Sequence, residues 1–298
     1  MADIKPDADF ILWTGDTAGH IPTPEFSLER NLQMINIVTS TIKRIFPNTL
    51  VIPSLGNHDF FPADYTNGTE SELYDSVCQM WSAWIKDPEQ INNCRRVVNT
   101  VLYLIENPMT RDLDDPSRQF EWLESTLVNA RLAGEKVIIT GHVSPTIHAP
   151  SVLNWFYPQY QNRYVKLMTL FSDLIIAHHY GHEHKDLFKI LQRDEDESGA
   201  SPVFLPPPVT PLRRTPPDGE QGPPLNPGVR LVKYDRLTGK HLNYRQFYTN
   251  ITEDNRLGRA VWDKKIRRHY TSLPHTSFDG IEITMFSFNS YRCSLIPV

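Results

Sequence analysis

Four short segments constrain the fold of this chain most, because each places polar side chains directly after a strand-like apolar run. They are Gly15-Asp16 followed by His20, Gly56-Asn57-His58-Asp59, Gly141-His142 and Gly181-His182-Glu183-His184. The glycine in each segment lets the backbone turn sharply and approach a ligand closely. Open α/β sheets carry their active sites at such strand ends. The pattern therefore predicts a layered α/β domain with its active site at these turns.

The rest of the sequence supports this alternation of strands and helices. We predict strands at 10–14, 50–55, 96–105, 136–140 and 173–177, and helices at 27–45, 70–85, 117–132 and 154–170. After these, strands at 186–192, 202–205, 229–234 and 241–248 follow without helices, which is typical of an antiparallel portion. The proline-rich segment 206–228 predicts an extended surface loop beside the site. The polar tail after Thr252 shows no clear period.

Composition and charge exclude several classes of protein. The 298 residues are 40% hydrophobic, enough for a large core, so disorder along the whole length is excluded. The net charge of −5 and the absence of a long basic block disfavour a nucleic acid polymer as partner. The longest apolar runs are far shorter than the roughly 20 residues of a membrane span. We therefore expect no transmembrane segment.

Cysteines, sequons and the N-terminus bear on the compartment. Cys78, Cys94 and Cys293 are an odd number, so at least one is free or paired with a partner outside the chain, and their pairing stays open. Asn67-Gly-Thr and Asn250-Ile-Thr fit the glycosylation sequon, and both asparagines are candidate glycosylation sites. No basic and apolar leader follows Met1, so no signal peptide is predicted in this chain.

Taken singly, each of the four segments has an ordinary structural explanation. A Gly-Asp pair after a strand is usually a turn, and a His-x-His pair is as often a solvated pair as a metal site. Combined in this order at strand ends, they resemble the calcineurin-like metallophosphoesterase superfamily, and more closely the acid sphingomyelinase-like phosphodiesterases. The resemblance is carried by Phe10-Ile-Leu-Trp-Thr-Gly-Asp16 with His20, Leu55-Gly-Asn-His-Asp-Phe60, Gln119-Phe-Glu-Trp-Leu123, Thr140-Gly-His-Val-Ser-Pro145 and Tyr180-Gly-His-Glu-His-Lys-Asp186.

The resemblance implies a fold and a domain organisation. The expected fold is α/β, a four-layer α/β/β/α sandwich of mixed sheets. The family's first motif, Asp-x-His, is absent from this sequence, so we expect the domain to be N-terminally incomplete and to lack its first strand with two metal ligands. The metallophosphoesterase domain is predicted over residues 1–250, and residues 251–298 are predicted to form a C-terminal tail extension.

The resemblance also implies a set of site residues. The implied metal ligands are Asp16, Asn57, His142, His182 and His184. Asp16 would bridge two divalent metal ions, most consistent with zinc, while His184 would serve one site and the remaining three ligands the other. A hydroxide bridging the two metals would attack phosphorus. His58 and His20 would stabilise the developing charge and protonate the leaving alkoxide. His148, His178 and His179 match no ligand position and are interpreted as core or supporting histidines.

The predicted function is that of a metal-dependent phosphoric diester hydrolase. Its substrates are predicted to be small phosphodiesters or nucleotide phosphoanhydrides, because related protein phosphatases carry Asp-Arg-Gly where this chain has Thr17-Ala-Gly-His20. The alternative is a truncated, catalytically inactive protein of the same fold that acts by binding only, since two ligands of the first metal are missing. The family resemblance further implies a monomeric glycoprotein that is secreted, extracellular or lysosomal.

Overall fold

The computed structural model describes residues 4–19, 25–84, 99–148, 153–191, 201–213, 224–265 and 293–297. Its helices are α1 (Leu28–Ile45), α2 (Ser71–Trp81), α3 (Gln119–Leu132), α4 (Pro158–Leu170) and α5 (Ile251–Leu257). Its strands are β1 (Phe10–Trp13), β2 (Leu50–Pro53), β3 (Lys136–Thr140), β4 (Ile147–His148), β5 (Leu153–Asn154), β6 (Ile175–His179), β7 (Leu187–Leu191), β8 (Ser201–Leu205), β9 (Leu212–Arg213), β10 (Pro224–Leu225), β11 (Gly228–Tyr234), β12 (His241–Thr249), β13 (Trp262–Lys265) and β14 (Cys293–Pro297).

The chain divides into two compact units. The first comprises Met1–Glu183, Phe188–Phe204 and Ser294–Val298, and the second comprises His184–Leu187 and Leu205–Cys293. Helices and sheets of both parallel and antiparallel strands occur together, so the predicted α/β class with mixed sheets is confirmed. The four-layer arrangement and the domain boundary at residue 250 stay predictions.

Helix α1 forms where the sequence carries both helix-start and helix-end signals. The Ser27 hydroxyl accepts a hydrogen bond from the Arg30 amide at 3.1 Å, which caps the first turn. Lys43 and Arg44 lie in the last turn, where cations complement the helix dipole. Ile35 is fully buried on the inner face. The helix predicted at 27–45 is confirmed.

Parallel strand pairs in two sheets carry the turns of interest. Strands β1 and β2 pair in parallel, with Phe10 opposite Leu50, so their C-terminal ends lie side by side. In the second sheet the strand order is β14-β3-β6-β8-β7, and β3 pairs in parallel with β6. The segments after β1, β2, β3 and β6 are the four glycine-containing segments of the sequence.

An aromatic core supports the second sheet. The Tyr103 ring lies 4.6 Å from Phe120, 5.3 Å from Phe156, 5.2 Å from Tyr160 and 6.0 Å from Tyr164, measured between ring centroids. Offset and edge-on contacts of this kind add to the hydrophobic gain of burial. On α3, the predicted stripe is confirmed. Its buried residues include Phe120, Leu123, Leu127 and Ala130.

One predicted element is wrong within the described residues. The strand expected at 96–105 is a 3₁₀ turn over Thr100–Tyr103, and residues 85–98 lie outside the described part of the chain. The Asn99 carboxamide oxygen accepts the Val101 amide at 3.0 Å, a local cap that turns the backbone away from an extended path. The apolar run is buried on every side, a pattern that periodicity cannot assign to strand or turn.

Several other boundaries differ from the sequence prediction, among them those of α4 and β6. Helix α4 begins at Pro158 rather than at Asn154, because proline is favoured in the first helical turn, and Leu153–Asn154 instead forms β5 against β4. Strand β6 begins at Ile175 and extends to His179, so His178 and His179 lie within a strand.

The second unit is built mainly of antiparallel strands. Strand β12 pairs antiparallel with β11 on one side and β13 on the other, and the predicted antiparallel portion is confirmed. The described parts of the proline-rich segment include β9 and β10, which pair with each other. The tail after Thr252 includes most of α5, capped by Asn250, and β13; the sequence prediction missed both.

Candidate metal centre

The turns after β1 and β2 touch each other, and two glycines make this contact possible. Gly15 has φ +84°, and a Cβ placed there would lie 2.5 Å from the Gly56 nitrogen. A Cβ at Gly56 would lie 2.2 Å from Asp16 Oδ1. Any larger side chain would separate the turns. The glycines identified in the sequence therefore bring the Asp16 carboxylate against the Gly56-Asn57-His58 turn.

Asp59 anchors this junction through backbone amides. Its two carboxylate oxygens accept hydrogen bonds from four N–H groups, at 2.8–3.0 Å. The donors are the amides of Asp16, Thr17, Ala18 and Gly56. Asp59 is fully buried, and charge-assisted bonds of this kind are stronger than neutral ones. The last residue of the Gly-Asn-His-Asp motif thus holds both turns in place.

Helix α1 supports the same turn from behind. The Asn31 Nδ2 atom lies 3.1 Å from the carbonyl oxygens of His58 and Asp59 and 3.2 Å from that of Phe60. Asn31 is completely buried. Buried carbonyls need such donors, since the 3₁₀ turn Asn57–Asp59 has too few backbone partners of its own.

Oxygen and nitrogen donors from all four turns meet at one point. The ligand atoms of Asp16, His142 and His182 all lie within 4.8 Å of one another. Asn57 Oδ1 lies 2.8 Å from His142 Nε2 and 3.0 Å from His182 Nδ1. His142 Nε2 is also 3.1 Å from Asp16 Oδ2. The structure therefore brings together four of the five ligand residues suggested by the sequence.

The surroundings of His142 orient it as a ligand. Its Nδ1 lies 2.6 Å from the Thr14 carbonyl oxygen, which only accepts, so Nδ1 carries the proton. The backbone amides of His142 and Val143 donate to Thr100 Oγ1 at 3.3 and 2.8 Å. With Nδ1 occupied, Nε2 faces Asp16 and Asn57, and in the neutral ring it would present a lone pair to a metal there. Metal-ligating histidines are typically fixed in this way by their second nitrogen.

Two neighbours orient the other ligands. Asn57 Nδ2 donates to Asp64 Oδ1 at 2.8 Å, so the carbonyl end of the amide faces the two histidines. The Trp155 ring packs edge-on against His182, with 4.3 Å between centroids. His182 itself has φ +66°, an uncommon conformation outside glycine that marks a constrained turn.

The environment of the site shifts the pKa values of its two carboxylates, Asp16 and Asp59, in opposite directions. Burial alone would raise the pKa of Asp16. The charge of His142 and its hydrogen bond to Asp16 outweigh the effect of burial and hold that pKa well below its usual range. Burial likewise opposes the charged form of His142, yet the Asp16 carboxylate raises the pKa of His142. For Asp59, burial and the nearby Asp16 charge raise the pKa to about 6, against the opposing effect of its amide donors.

This donor set fits a divalent cation. Carboxylate oxygen, amide oxygen and two imidazole nitrogens are ligands suited to zinc-like ions. Acceptor atoms that converge on a buried point repel one another unless a cation or proton lies between them. The ligand roles of the individual residues stay predictions.

The other predicted site residues have different positions. The backbone amide of His58 donates to Asp16 Oδ1 at 2.9 Å, which places His58 in the same turn. His184 has φ +52° and lies in the segment assigned to the second unit. His20 lies outside the described residues. Asn67 and Asn250 are sequon positions, and the Asn250 side chain accepts from the amides of Thr252 and Glu253 at 3.2 and 3.3 Å.

Sequence reasoning missed several residues that build the site. The roles of Asn31, Asp59, Asp64 and Thr100 follow from contacts between distant segments. Only Asp59 carried a signal, as the last residue of a recognised motif without an assigned role. The interpretation of His178 and His179 as core residues agrees with the structure, since both are buried in β6. The side chain of His148 lies outside the described part.

Two further observations concern the setting of the protein. Cys78 is disulfide-bonded. Across the described residues, the helices are all too short or too polar to span a bilayer.

Comparisons with known proteins agree with the geometry. The calcineurin-like phosphoesterase family matches residues 2–186. The human cyclic GMP-AMP phosphodiesterase SMPDL3A is 36% identical over 275 residues, covering 86% of this chain and 59% of its own length. Human acid sphingomyelinase-like phosphodiesterase 3b is 32% identical, covering 88% of this chain and 61% of itself. Sphingomyelinase phosphodiesterase C of Dictyostelium discoideum is 34% identical, covering 90% and 64%. The chain thus spans 59–64% of the length of these relatives.

Proposed function

The chain belongs to the calcineurin-like phosphoesterase family, and from this membership we propose that it is a metal-dependent phosphoric diester hydrolase. The observation that carries the proposal is the convergence of Asp16, Asn57, His142 and His182 at the ends of four strands. A carboxylate, an amide and two neutral imidazoles are a metal-binding set, and the family's chemistry acts on phosphate esters.

The substrate class follows from the relatives and from this sequence. The relatives are named as phosphodiesterases of cyclic GMP-AMP and of sphingomyelinase type. For this chain we propose small phosphodiesters or nucleotide phosphoanhydrides. A histidine at position 20, in place of an arginine, suits protonation of an alkoxide leaving group.

Each side chain has a proposed part in the reaction. When bound, two divalent ions, zinc in the favoured case, would supply Lewis-acid polarisation of the phosphoryl group and activation of the attacking water. Asp16 would contribute to both metal sites, Asn57, His142 and His182 would hold one ion, and His184 would contribute to the other. His58, whose amide is bonded to Asp16, stabilises negative charge on the phosphoryl oxygens. His20 donates the proton to the leaving oxygen.

A second candidate function rests on a specific observation. The sequence has no Asp-x-His motif, which in the family supplies ligands to the metal shared by Asp16 and His184. A site with few protein ligands binds its ion weakly. The alternative is therefore a catalytically inactive protein of this fold that retains at most one metal and acts by binding.

The compartment is proposed from independent features. Disulfides persist in oxidising environments, and Cys78 is disulfide-bonded. The two sequons agree with a glycoprotein that is secreted, extracellular or lysosomal. We further propose that the protein acts as a monomer.

The test combines metal content with turnover of a chromogenic diester such as bis(p-nitrophenyl) phosphate. The hydrolase predicts close to two tightly bound ions per chain and release of nitrophenol. The Asn57→Ala variant is expected to lose both metal and activity, while Asn36→Ala, an exposed asparagine of α1, serves as control. One bound ion without turnover would support the binding protein instead. No bound ion and no turnover would refute the hydrolase and would likewise support a protein that acts by binding only.

A further inference from the structure

A buried ion pair lies beneath the histidine turns of the candidate metal centre. Glu183 stands between His182 and His184 in the sequence, yet its side chain is 0% exposed. Its Oε1 atom contacts the ammonium group of Lys189 on β7, whose side chain is 17% exposed. A buried carboxylate costs several kcal/mol unless a cation offsets it. Lys189 provides that cation.

Lys189 also reaches the neighbouring histidine turn. Its Nζ donates to Thr146 Oγ1 at 2.9 Å, and the Thr146 hydroxyl is hydrogen-bonded to Ser144 Oγ. Ser144 and Thr146 are buried and follow His142 by two and four residues. One ammonium group therefore binds the turn after β3 and the turn after β6 at the same time.

The two turns are joined at their ligand ends by backbone bonds. The Gly181 amide donates to the His142 carbonyl at 2.9 Å, and the Gly141 amide donates to the His179 carbonyl at 3.0 Å. These bonds join the two turns on the side of Gly141 and Gly181. The Lys189 contacts supply a second attachment, beyond His142 and His182 along the chain, since they involve Thr146 and Glu183.

We infer that Lys189 and Glu183 act as positioning residues that fix His142 and His182 relative to each other for metal binding. The inference rests on the proposed metal centre. The proposed role is one of positioning, through the contacts of Lys189 with Thr146 and Glu183. Outer contacts of this kind typically change metal affinity by about 10–100-fold when removed.

The inference predicts a measurable change in metal binding. In a Co²⁺ titration followed by visible absorption, Lys189→Met is expected to bind about 10-fold or more weakly than the wild type, with an altered absorption spectrum. Glu183→Gln should behave similarly. Because the two residues act as one unit, the double variant should lose little more affinity than either single variant. Lys136→Met, at the opposite end of β3 from His142, is the matched control and should bind Co²⁺ normally.

The double variant also guards against misfolding. Lys189→Met alone leaves the buried Glu183 carboxylate without a cation. The double variant, Glu183→Gln with Lys189→Met, buries no unpaired charge and is expected to fold. A purely structural pair would lower the melting temperature yet leave the Co²⁺ affinity and spectrum of the folded double variant unchanged, and that result would overturn the inference. Wild-type protein that binds Co²⁺ but cleaves no diester would refute only the hydrolase. Wild-type protein that binds no Co²⁺ would overturn both.

Discussion

The orientation of His142 and Asn57 in this site is set by the polar atom of each side chain that faces away from the centre. His142 gives one nitrogen to the Thr14 carbonyl, and Asn57 gives its amide N–H to Asp64, so each presents one acceptor to the centre. Neither orientation follows from residue type, because a histidine has two nitrogens and an amide has two ends. The orienting partner is 128 residues away in the sequence for His142 and seven residues away for Asn57.

The proton-donor role of His20 is testable in a variant. The change His20→Ala should slow diesters with poor leaving groups by roughly 10²–10⁴-fold, the usual contribution of general acid catalysis. Diesters with activated leaving groups need little protonation and should be affected much less. Metal content should stay close to that of the wild type, since His20 is not assigned as a ligand. Steady-state kinetics on a series of leaving groups, with metal analysis, make the measurement.

The matched comparison for His20 is His142→Ala, which is expected to lower metal occupancy and to slow all diesters alike. Equal slowing of activated and unactivated substrates by His20→Ala would contradict a proton-donor role. So would loss of metal from that variant.

Whole elements position the site by docking polar groups onto turns. Helix α1 inserts Asn31 beneath the turn after β2, and the 3₁₀ turn at Thr100–Tyr103 offers the Thr100 hydroxyl to the turn after β3. Both supporting groups are buried, so each replaces hydrogen bonds that water would otherwise make. The helix and the 3₁₀ turn therefore contribute to the site without supplying a ligand.

The docking of α1 has a measurable energetic consequence. The change Asn31→Leu should lower the free energy of unfolding by about 1–3 kcal/mol, because it leaves buried carbonyls of the 58–60 turn without a donor. It should also weaken metal binding, since that turn carries Asn57. Gln33→Ala, at an exposed position of the same helix, should have little effect on either. Denaturant unfolding and a Co²⁺ titration would test both effects; unchanged stability of Asn31→Leu would contradict this account.

At the scale of the whole molecule, we expect a buried histidine to lower the stability of the protein in acid. His178 is completely buried in β6, and its Nε2 has no hydrogen-bond partner among the described residues. Burial lowers the pKa of His178 to about 3 from the ordinary 6.5. The unfolded chain therefore takes up a proton between these values that the folded chain does not. Stability contributed by neutral His178 is complete above pH 6.5 and decreases as the pH falls toward 3.

The expected size of this effect at pH 5 is about 2 kcal/mol, since each pKa unit corresponds to about 1.4 kcal/mol. The variant His178→Phe keeps an aromatic ring beside Tyr180 and has no proton to gain. Its free energy of unfolding should decrease less than that of the wild type between pH 7 and pH 5, by about that amount. An equal decrease in the free energy of unfolding of both proteins would show that His178 does not control the loss of stability in acid.

The proposed glycosylation concerns the surface of the whole protein. Expression through a secretory pathway should add a glycan at Asn250, which is exposed, and the glycan should be removable by an amidase. Asn250 also caps α5, so Asn250→Gln would disturb the helix as well as the sequon. Thr252→Ala abolishes the sequon and keeps the cap, so this variant should be lighter than the secreted wild type by the mass of the glycan at Asn250. An unchanged mass after amidase treatment of the wild type would refute the assignment.

The sequence by itself determined which residue types stand at the strand ends and in what order. Short motifs sufficed there, because glycine followed by Asp, Asn or His constrains both the local turn and the chemistry. Amphipathic period was also enough for α1 and for the buried stripe of α3. The amphipathic period was not enough for Thr100–Tyr103, because this mostly apolar run has no period that distinguishes a capped turn from a strand.

Only the tertiary structure decided how these pieces act together. Four contacts each join segments that no local pattern relates. They are the anchoring by Asp59, the amide of Asn31, the hydroxyl of Thr100 and the hydrogen bond of Lys189 to Thr146. Their physical cause is common to all of them. A buried polar group must find a partner wherever the fold provides one, and that partner is set by packing in three dimensions rather than by spacing along the chain.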